Sequence, residues 1–363
     1  MRYTEAIDYL YGRRRLGMKY GLERMEALLA DLGNPQKSFR TVHVVGTNGK
    51  GSTTALLSEI SRQLGLKTGR TTSPHLLDYR ERISVDGRWI PPDSVVEFVD
   101  SYRPLVEKHE ATFFEITTAM AAWHFEREGA EWVISEAGLG GRLDGTHSYL
   151  GEATIFTGVD IEHSRILGRT RSAIAREKLA IASPGTLLVA AGQASHVEKT
   201  IRQAVVDQSL LRAWPVDAGR APLAGPHQLA NAGLALSAAL LLFGRPEHEV
   251  LGAFGRACGS LRWPGRLDLR KGRPDILFDV AHNPQSMARL CGYLDEKDLP
   301  VAGVVGILED KPWKRMAAGL RGYLEPVVAT TPLSERLLPA STLSTICCSV
   351  QIPVTGQSPG VAP

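Results

Sequence analysis

The stretch between residues 41 and 65 constrains this chain most. Thr41-Val42-His43-Val44-Val45 is a β-branched run, Gly46-Thr47-Asn48-Gly49-Lys50-Gly51-Ser52-Thr53 follows with no spacer, and TALLSEISRQLG then carries apolar residues at helical spacing. Strand, glycine-rich turn and helix in that order are the α/β signature of a phosphate-binding fold. Glycines let the backbone curl until its N–H groups converge on an anion, and the helix behind adds its positive N-terminal end. Lys50 supplies a point charge for phosphates, and Ser52 or Thr53 a hydroxyl for Mg²⁺, a cation that keeps several waters and takes few protein ligands. The segment therefore predicts a cradle for a nucleoside triphosphate and its metal. It departs from the common G-x-x-x-x-G-K-[ST] pattern: Val44 stands five residues before Gly49, and the serine follows Lys50 by two.

The rest of the chain extends the same architecture. EWVISEAGL, ATIFTGV and GTLLVAAG are apolar runs alternating with helical patterns such as FEITTAMAAWHFEREG, as in a mostly parallel sheet. Ahead of them, Ile7 and Leu10, then Leu22, Met25, Leu28, Leu29 and Leu32, recur at helical spacing up to Gly33-Asn34-Pro35. After Trp263-Pro264-Gly265-Arg266, DILFDVAHNPQSMARLCGYL again reads strand, turn, helix, and PVAGVVGIL offers a further strand. At 363 residues the chain has room for two cores. We expect an α/β central domain over residues 1–268, a smaller domain over 269–336, and a loose tail over 337–363. No Asp, Glu, Lys, Arg or His follows Arg336, although charged residues make up 22% of the chain.

Composition narrows the function classes. With 43% hydrophobic residues the chain is not disordered as a whole. Lys plus Arg number 42 against 39 for Asp plus Glu, with no basic cluster, so no nucleic-acid partner is expected. Cys258, Cys291, Cys347 and Cys348 have no metal spacing, and reduced thiols in the cytoplasm are the expectation. No N-terminal apolar segment suggests export, and no apolar run reaches the roughly 18 residues of a membrane span.

Other segments carry possible chemistry. Glu136 ends the strand WVIS, at the edge where open α/β sheets bind ligands, and Gly138-Leu139-Gly140-Gly141-Arg142-Leu143-Asp144 behind it permits close backbone approach. Asp160-Ile161-Glu162-His163 ends another strand, and His163 is a candidate metal ligand beside Glu136, although a lone histidine is more often structural. Lys178, on a helix with Ile174 and Ile181, reads by itself as a surface lysine. Asp279 and His282, in DVAHNP, suit a substrate or ribose contact, in competition with ordinary helix capping.

Together these segments resemble the folylpolyglutamate synthase and dihydrofolate synthase family, a branch of the Mur ligases. The resemblance runs in order from residue 4 to about residue 336 through KYGLERMEALLADLGNP, HVVGTNGKGSTT, TSPHLLDYRERISVDG, FFEITTAMAAWHF, ISEAGLGGRLDGTH, EHSRILGRTRSAIAREKLAI, PHQLANAGLAL, WPGRLDL, FDVAHNPQSM and LEDKPWKRM. It implies a P-loop central ATPase domain with a smaller Rossmann-like C-terminal domain. It also implies an amide ligation in which ATP phosphorylates a carboxylate and the amine of L-glutamate displaces phosphate from the acyl phosphate. The acceptor would be dihydropteroate, tetrahydrofolate (poly)glutamates or both.

By the same resemblance Thr47, Asn48, Gly49, Lys50, Gly51, Ser52 and Thr53 would cradle ATP, with Asn231, Arg266, Asp279 and His282 as further contacts. Ser52 would hold a first Mg²⁺, and Glu136 and His163 a second. Lys178 would be carbamylated, and Lys50, Lys178 and His163 would be the catalytic set. Ser73, Pro74, His75, Phe114 and Glu115 would hold the pterin end, and a monomer acting on small molecules is expected. The chain departs from the family pattern at Glu162 (usually Asp), His147 (usually Asn) and Pro312 (commonly acidic), and in a shortened C-terminal domain. Two alternatives stand beside this reading: a relative with a non-folate acceptor, and an ATP-binding protein that has lost ligation through the shortened C-terminal domain.

Overall fold

A computed structural model describes residues 1–17, 21–204, 209–213, 216–217, 221–297, 301–332, 334 and 336–347. The chain divides into two units, 1–222 with 228–263, and 223–227 with 264–363. The division falls at Trp263/Pro264, ahead of the expected 268/269. The WPGR segment explains why: Trp263 packs against Gly51 in the first unit, whereas the Leu267 N–H is held by the Asp279 carboxylate in the second.

The first unit is built on an eight-stranded sheet. Its strands are β1 (Arg40–Val45), β2 (Thr68–Thr71), β3 (Ile83–Val85), β4 (Arg88–Trp89), β5 (Trp132–Glu136), β6 (Gly151–Phe156), β7 (Leu187–Ala190) and β8 (Ser209–Arg212), in the spatial order β4-β3-β2-β5-β1-β6-β7-β8. β2, β5, β1, β6, β7 and β8 run parallel; the apolar runs predict β1, β5, β6 and β7 among them, while β2, β8 and the antiparallel edge of β3 and β4 were not anticipated from sequence. All of β5 and all of β1 except Arg40 are buried, which explains why these strands read as continuous rather than alternating. One core joins the helices Tyr3–Gly12, Glu23–Asp31, Pro92–Lys108 and Phe113–Arg127 through Leu10, Leu28, Phe98 and Phe125. Another seats Arg171–Leu179 and Ser195–Ala204 on β6 and β7 through Ile174, Leu188, Val197 and Ile201. Each such fully buried aliphatic side chain contributes roughly 1.5–3 kcal/mol relative to leaving it exposed.

This order decides where the chemistry sits. β5 and β6 flank β1, so the segments leaving the carboxyl ends of these three strands converge on one edge.

In the second unit β9 (Asp268–Arg270) pairs antiparallel with β10 (Ile276–Phe278), and β11 (Gly303–Val305) pairs parallel with β12 (Val327–Ala329). Among the described residues these two pairs do not join into one sheet. The helices Pro284–Asp295 and Trp313–Gly319 pack through Met287, Cys291 and Met316. The uncharged stretch expected to be loose from residue 337 differs in its first part. Leu338 and Leu343 are buried in this core and Ala340–Cys347 is a helix, because apolar residues pack whether or not charges accompany them. Residues 348–363, Cys348 among them, lie outside the described residues. No helix among the described residues is long and apolar enough to cross a membrane.

Candidate active site

The glycine-rich loop follows β1, and its helix spans Lys50–Gln63. Gly46 has φ +153° and Gly49 φ +90°, and a side chain on either would collide with a neighbour. At Gly46 that neighbour is the Thr157 hydroxyl, and at Gly49 it is the side-chain amide of Asn231. The second contact brings Asn231 from a distant helix onto the loop. A methyl on Gly51 would lie 3.4 Å from a carboxylate oxygen of Glu136 and 3.3 Å from the Trp263 ring. Trp263 in turn carries the Arg70 guanidinium 5.1 Å from its ring centroid.

The segment after β6 clamps the loop. The Thr157 hydroxyl donates to the Asn48 carbonyl at 2.7 Å, the Thr47 N–H donates to the Gly158 carbonyl at 2.9 Å, and the Asp160 N–H donates to the Thr47 hydroxyl at 3.0 Å. The Lys50 amine donates to the carbonyls of Gly46 and Thr47, each at 3.2 Å. Ser52 and Thr53 are buried in the first turn of the helix.

Glu136 is buried at the end of β5 and accepts the Ser73 N–H at 3.2 Å. Lys178, read from sequence as an ordinary surface lysine unless the resemblance held, is only 5% exposed. Its amine donates to the Gly46 carbonyl at 2.8 Å. Burial, and after it the charge of Lys50, pushes this amine down to about 7, against the pull of Glu162 and Asp144. His163 stands at φ +49°, a left-handed conformation, with its Nε2 3.8 Å from a Glu162 oxygen. Among the described residues no three acidic, histidine or cysteine side chains gather into a metal cage. What the loop offers is one buried carboxylate beside a hydroxyl-bearing helix start. That donor set fits Mg²⁺, a hard cation completing its octahedron with water and phosphate oxygens.

The loop after β5 is organised by a residue sequence reasoning did not single out. The buried Asp144 carboxylate accepts the N–H of Leu139 at 2.8 Å and, from Thr146, the N–H at 3.0 Å and the hydroxyl at 2.6 Å. Burial pushes its carboxyl up, and these donors oppose the rise. A cavity of about 400 Å³ opens here, lined by Phe114, Glu115, Gly138, Arg142 and Asp144 among others. A methyl on Gly138 would lie 2.8 Å from the Phe114 ring, so glycine is what permits this contact.

The expected pterin set divides. Phe114 and Glu115 line the cavity, but the Glu115 carboxylate caps its own helix through the Thr112 N–H at 2.8 Å and pairs with Arg24 at 3.3 Å. Ser73, Pro74 and His75 are not among its lining residues: Ser73 serves Glu136, Pro74 is exposed, and His75 bonds to Arg82 and Tyr11. Arg266, Asp279 and His282 belong to the second unit. There the Asp279 carboxylate accepts the N–H groups of Leu267 and Ala281 at 2.9 and 2.8 Å, and helix capping falls to Asn283.

Thr157, Asp144 and Trp263 contact these loops at positions that spacing alone did not mark. A glycine on a strand's exit is the available hint, because something must fill the space it leaves.

A parallel α/β sheet carrying a glycine-rich anion loop, a lysine in its curl and a carboxylate at the adjacent strand end defines a P-loop nucleotide-binding protein. Comparison with known proteins narrows the class. No protein-family model matches the chain. It is 34% identical over 350 residues to the dihydrofolate synthase/folylpolyglutamate synthase of Bacillus subtilis, covering 86% of this chain and 81% of that one. It is also 34% identical over 372 residues to the probable bifunctional folylpolyglutamate synthase/dihydropteroate synthase of Haloferax volcanii, covering 92% of this chain and 44% of that one. The chain thus spans less than half the length of the first haloarchaeal relatives it matches, 44% and 46%. The solved structure of Mycobacterium tuberculosis folylpolyglutamate synthase complexed with ADP has a TM-score of 0.86 at 30% identity, covering 95% of this chain and 85% of that one. The chain belongs to the dihydrofolate synthase/folylpolyglutamate synthase family.

Proposed function

We propose that this chain is an ATP-dependent carboxylate–amine ligase that joins L-glutamate to dihydropteroate, to tetrahydrofolate (poly)glutamates, or to both, through an acyl phosphate. The observation that carries the reading is the meeting of Glu136, the glycine-rich loop and the buried amine of Lys178 at one sheet edge, next to the Phe114 cavity. The ADP complex of the Mycobacterium relative supports the nucleotide assignment.

In this reading the N–H groups of residues 47–53 and the Lys50 amine hold the phosphates. Ser52, Glu136 and His163 would hold two Mg²⁺ ions, which when bound neutralise phosphate and carboxylate so that the two anions can approach. Phe114 offers a face for a flat heteroaromatic ring. Asn231 fixes the loop, and Arg266, Asp279 and His282 are assigned to ATP by motif.

Lys178 with a pKa near 7 holds a large neutral fraction at neutral pH. A neutral amine can add to CO₂ and lose a proton, giving a carbamate that replaces a buried cation with an anion suited to a metal-rich site. The chain is proposed to act as a cytoplasmic monomer.

Phosphate release with MgATP and L-glutamate, compared for dihydropteroate, tetrahydrofolate and no acceptor, tests the ligase. Release that requires glutamate and one pteridine is expected. ATP binding without acceptor-dependent turnover would overturn it.

A further inference from the structure

A second group of polar side chains lies outside the cavity and the loop. Arg82 is 6% exposed, and the one hydrogen bond of its side chain among the described residues runs from Nε to His75 Nδ1, 2.7 Å away. His75 Nδ1 is therefore an acceptor, so the ring proton sits on Nε2, which faces the Tyr11 hydroxyl at 3.3 Å. The Tyr11 oxygen accepts the hydrogen bond from Nε2–H and keeps its own O–H free to donate. The Arg14 guanidinium lies 4.1 Å from the Tyr11 ring centroid and 4.7 Å from that of Phe113, and the Arg82 guanidinium lies 5.1 Å from Phe113.

Among the described residues neither arginine has an acidic partner. The nearby acids are committed elsewhere: Glu81 accepts the N–H groups of Leu76, Leu77 and Asp78, and Asp78 pairs with Arg80. A buried guanidinium without a counter-ion is costly, and this cluster presents donors only. Planar guanidinium forks beside an O–H donor match a carboxylate. The segment 73–75 ties the cluster to the reaction centre, since the Ser73 N–H is bonded to Glu136.

We propose that Arg14, Arg82 and the Tyr11 hydroxyl, ordered by His75, form a binding site for a glutamyl carboxylate, distinct from the carboxylate that reacts. The site rests on the ligase reading for its ligand class. A glutamyl group carries two carboxylates a few bonds apart, so one can react at Glu136 while the other is held here. Dihydropteroate has only its reacting carboxylate and makes no use of the site. The cluster therefore separates the two acceptor classes, favouring those that already bear glutamate.

The test uses the full chain and two variants that leave the buried Arg82 in place, Arg14→Gln and Tyr11→Phe. Calorimetric titration with γ-L-glutamyl-L-glutamate and with L-glutamate is set beside steady-state kinetics on dihydropteroate and on tetrahydrofolate monoglutamate. Arg14→Gln should weaken the dipeptide by about 10-fold, the loss expected for one charge-assisted contact, and raise KM for tetrahydrofolate by a similar factor. Dihydropteroate kinetics should stay within about twofold, and Tyr11→Phe should show the same pattern at a smaller amplitude. An effect on free L-glutamate in place of the dipeptide would overturn the proposal, since the site would then serve the incoming amino acid and not the acceptor. Dipeptide and L-glutamate binding that is absent in the wild type, or unchanged by Arg14→Gln, would overturn the site. Arginine-dependent dipeptide binding without turnover of either pteridine would uphold the site and remove the ligase reading.

Discussion

The two units bury their strands differently. In the first, Ile134 on β5 and Ile155 on β6 are both fully buried, with packed structure on either side of the sheet. In the second, Phe278 on β10 is 51% exposed and Val304 on β11 is 76% exposed. The contrast bears on what each half can hold. A loop leaving a strand that is fixed on both faces can keep uncommon backbone conformations, such as Gly46 at φ +153° or His163 at φ +49°, because the surrounding packing over-determines them. Arg266 precedes β9 and Asp279 follows β10, short strands with exposed side chains, so the glycine-rich loop of the first unit has the firmer support.

Stability mutants break or sharpen this contrast most strongly. Ile155→Ala should cost about 2–5 kcal/mol in urea unfolding, whereas Phe278→Ala should stay within about 0.5 kcal/mol. Equal costs would mean that β10 is covered in solution.

Activity comes next. Lys50→Ala and His163→Asn should each lower acceptor-dependent phosphate release by about 100-fold, since each removes charge stabilisation from the transferring phosphoryl group. Asparagine tolerates the left-handed backbone at 163, so a loss there reports the imidazole rather than the chain path. Val304→Ala in the second unit should leave the rate unchanged, and near-normal turnover by His163→Asn would take His163 out of the metal site.

The smallest effect is in pH. Lys178 titrates near 7 when folded and near its ordinary 10.5 when unfolded, so between these values the unfolded chain binds more protons. Stability contributed by this residue therefore rises with pH across that window, by at most about 1.4 kcal/mol per pH unit, and is absent below it. Unfolding of Lys178→Met against wild type from pH 6 to 9 checks the sign. A difference independent of pH would place the amine's pKa outside the window.

Much of the first unit was legible in the sequence, for a physical reason. β1, β5, β6 and β7 are buried parallel strands whose continuous apolar runs differ from the helices between them, and the loop residues 46–53 are contiguous. Glu136 was legible because strand ends in such sheets point at ligands. Thr157 and Trp263 were not, because each acts on a loop far from it in sequence and no spacing records that, and Asp144 was not, because its hold on Leu139 and Thr146 within its own loop has no periodic signature. β3 and β4, three and two residues long, are too short for any periodicity to show. Glu115 read as a substrate contact and is also the reciprocal cap of its helix, a role the Thr112-x-x-Glu115 spacing already carried. The arginine cluster was hidden for the same reason as Trp263: its members come from the first helical segment, the 73–75 loop and the entry to β3.

Lys178 has one more consequence. Its side chain reaches the loop after β1 through the Gly46 carbonyl, while its own carbonyl stands where any side chain on Gly141 would have to go. The neighbouring Glu177 carbonyl accepts the Arg142 N–H at 3.0 Å, fixing the same turn of helix to the loop after β5. One residue thus gauges two loops together. An insertion or deletion in either loop would shift one contact and leave the other behind, so drift in chain length has to be absorbed outside residues 46–53 and 137–145, whatever happens to the individual side chains.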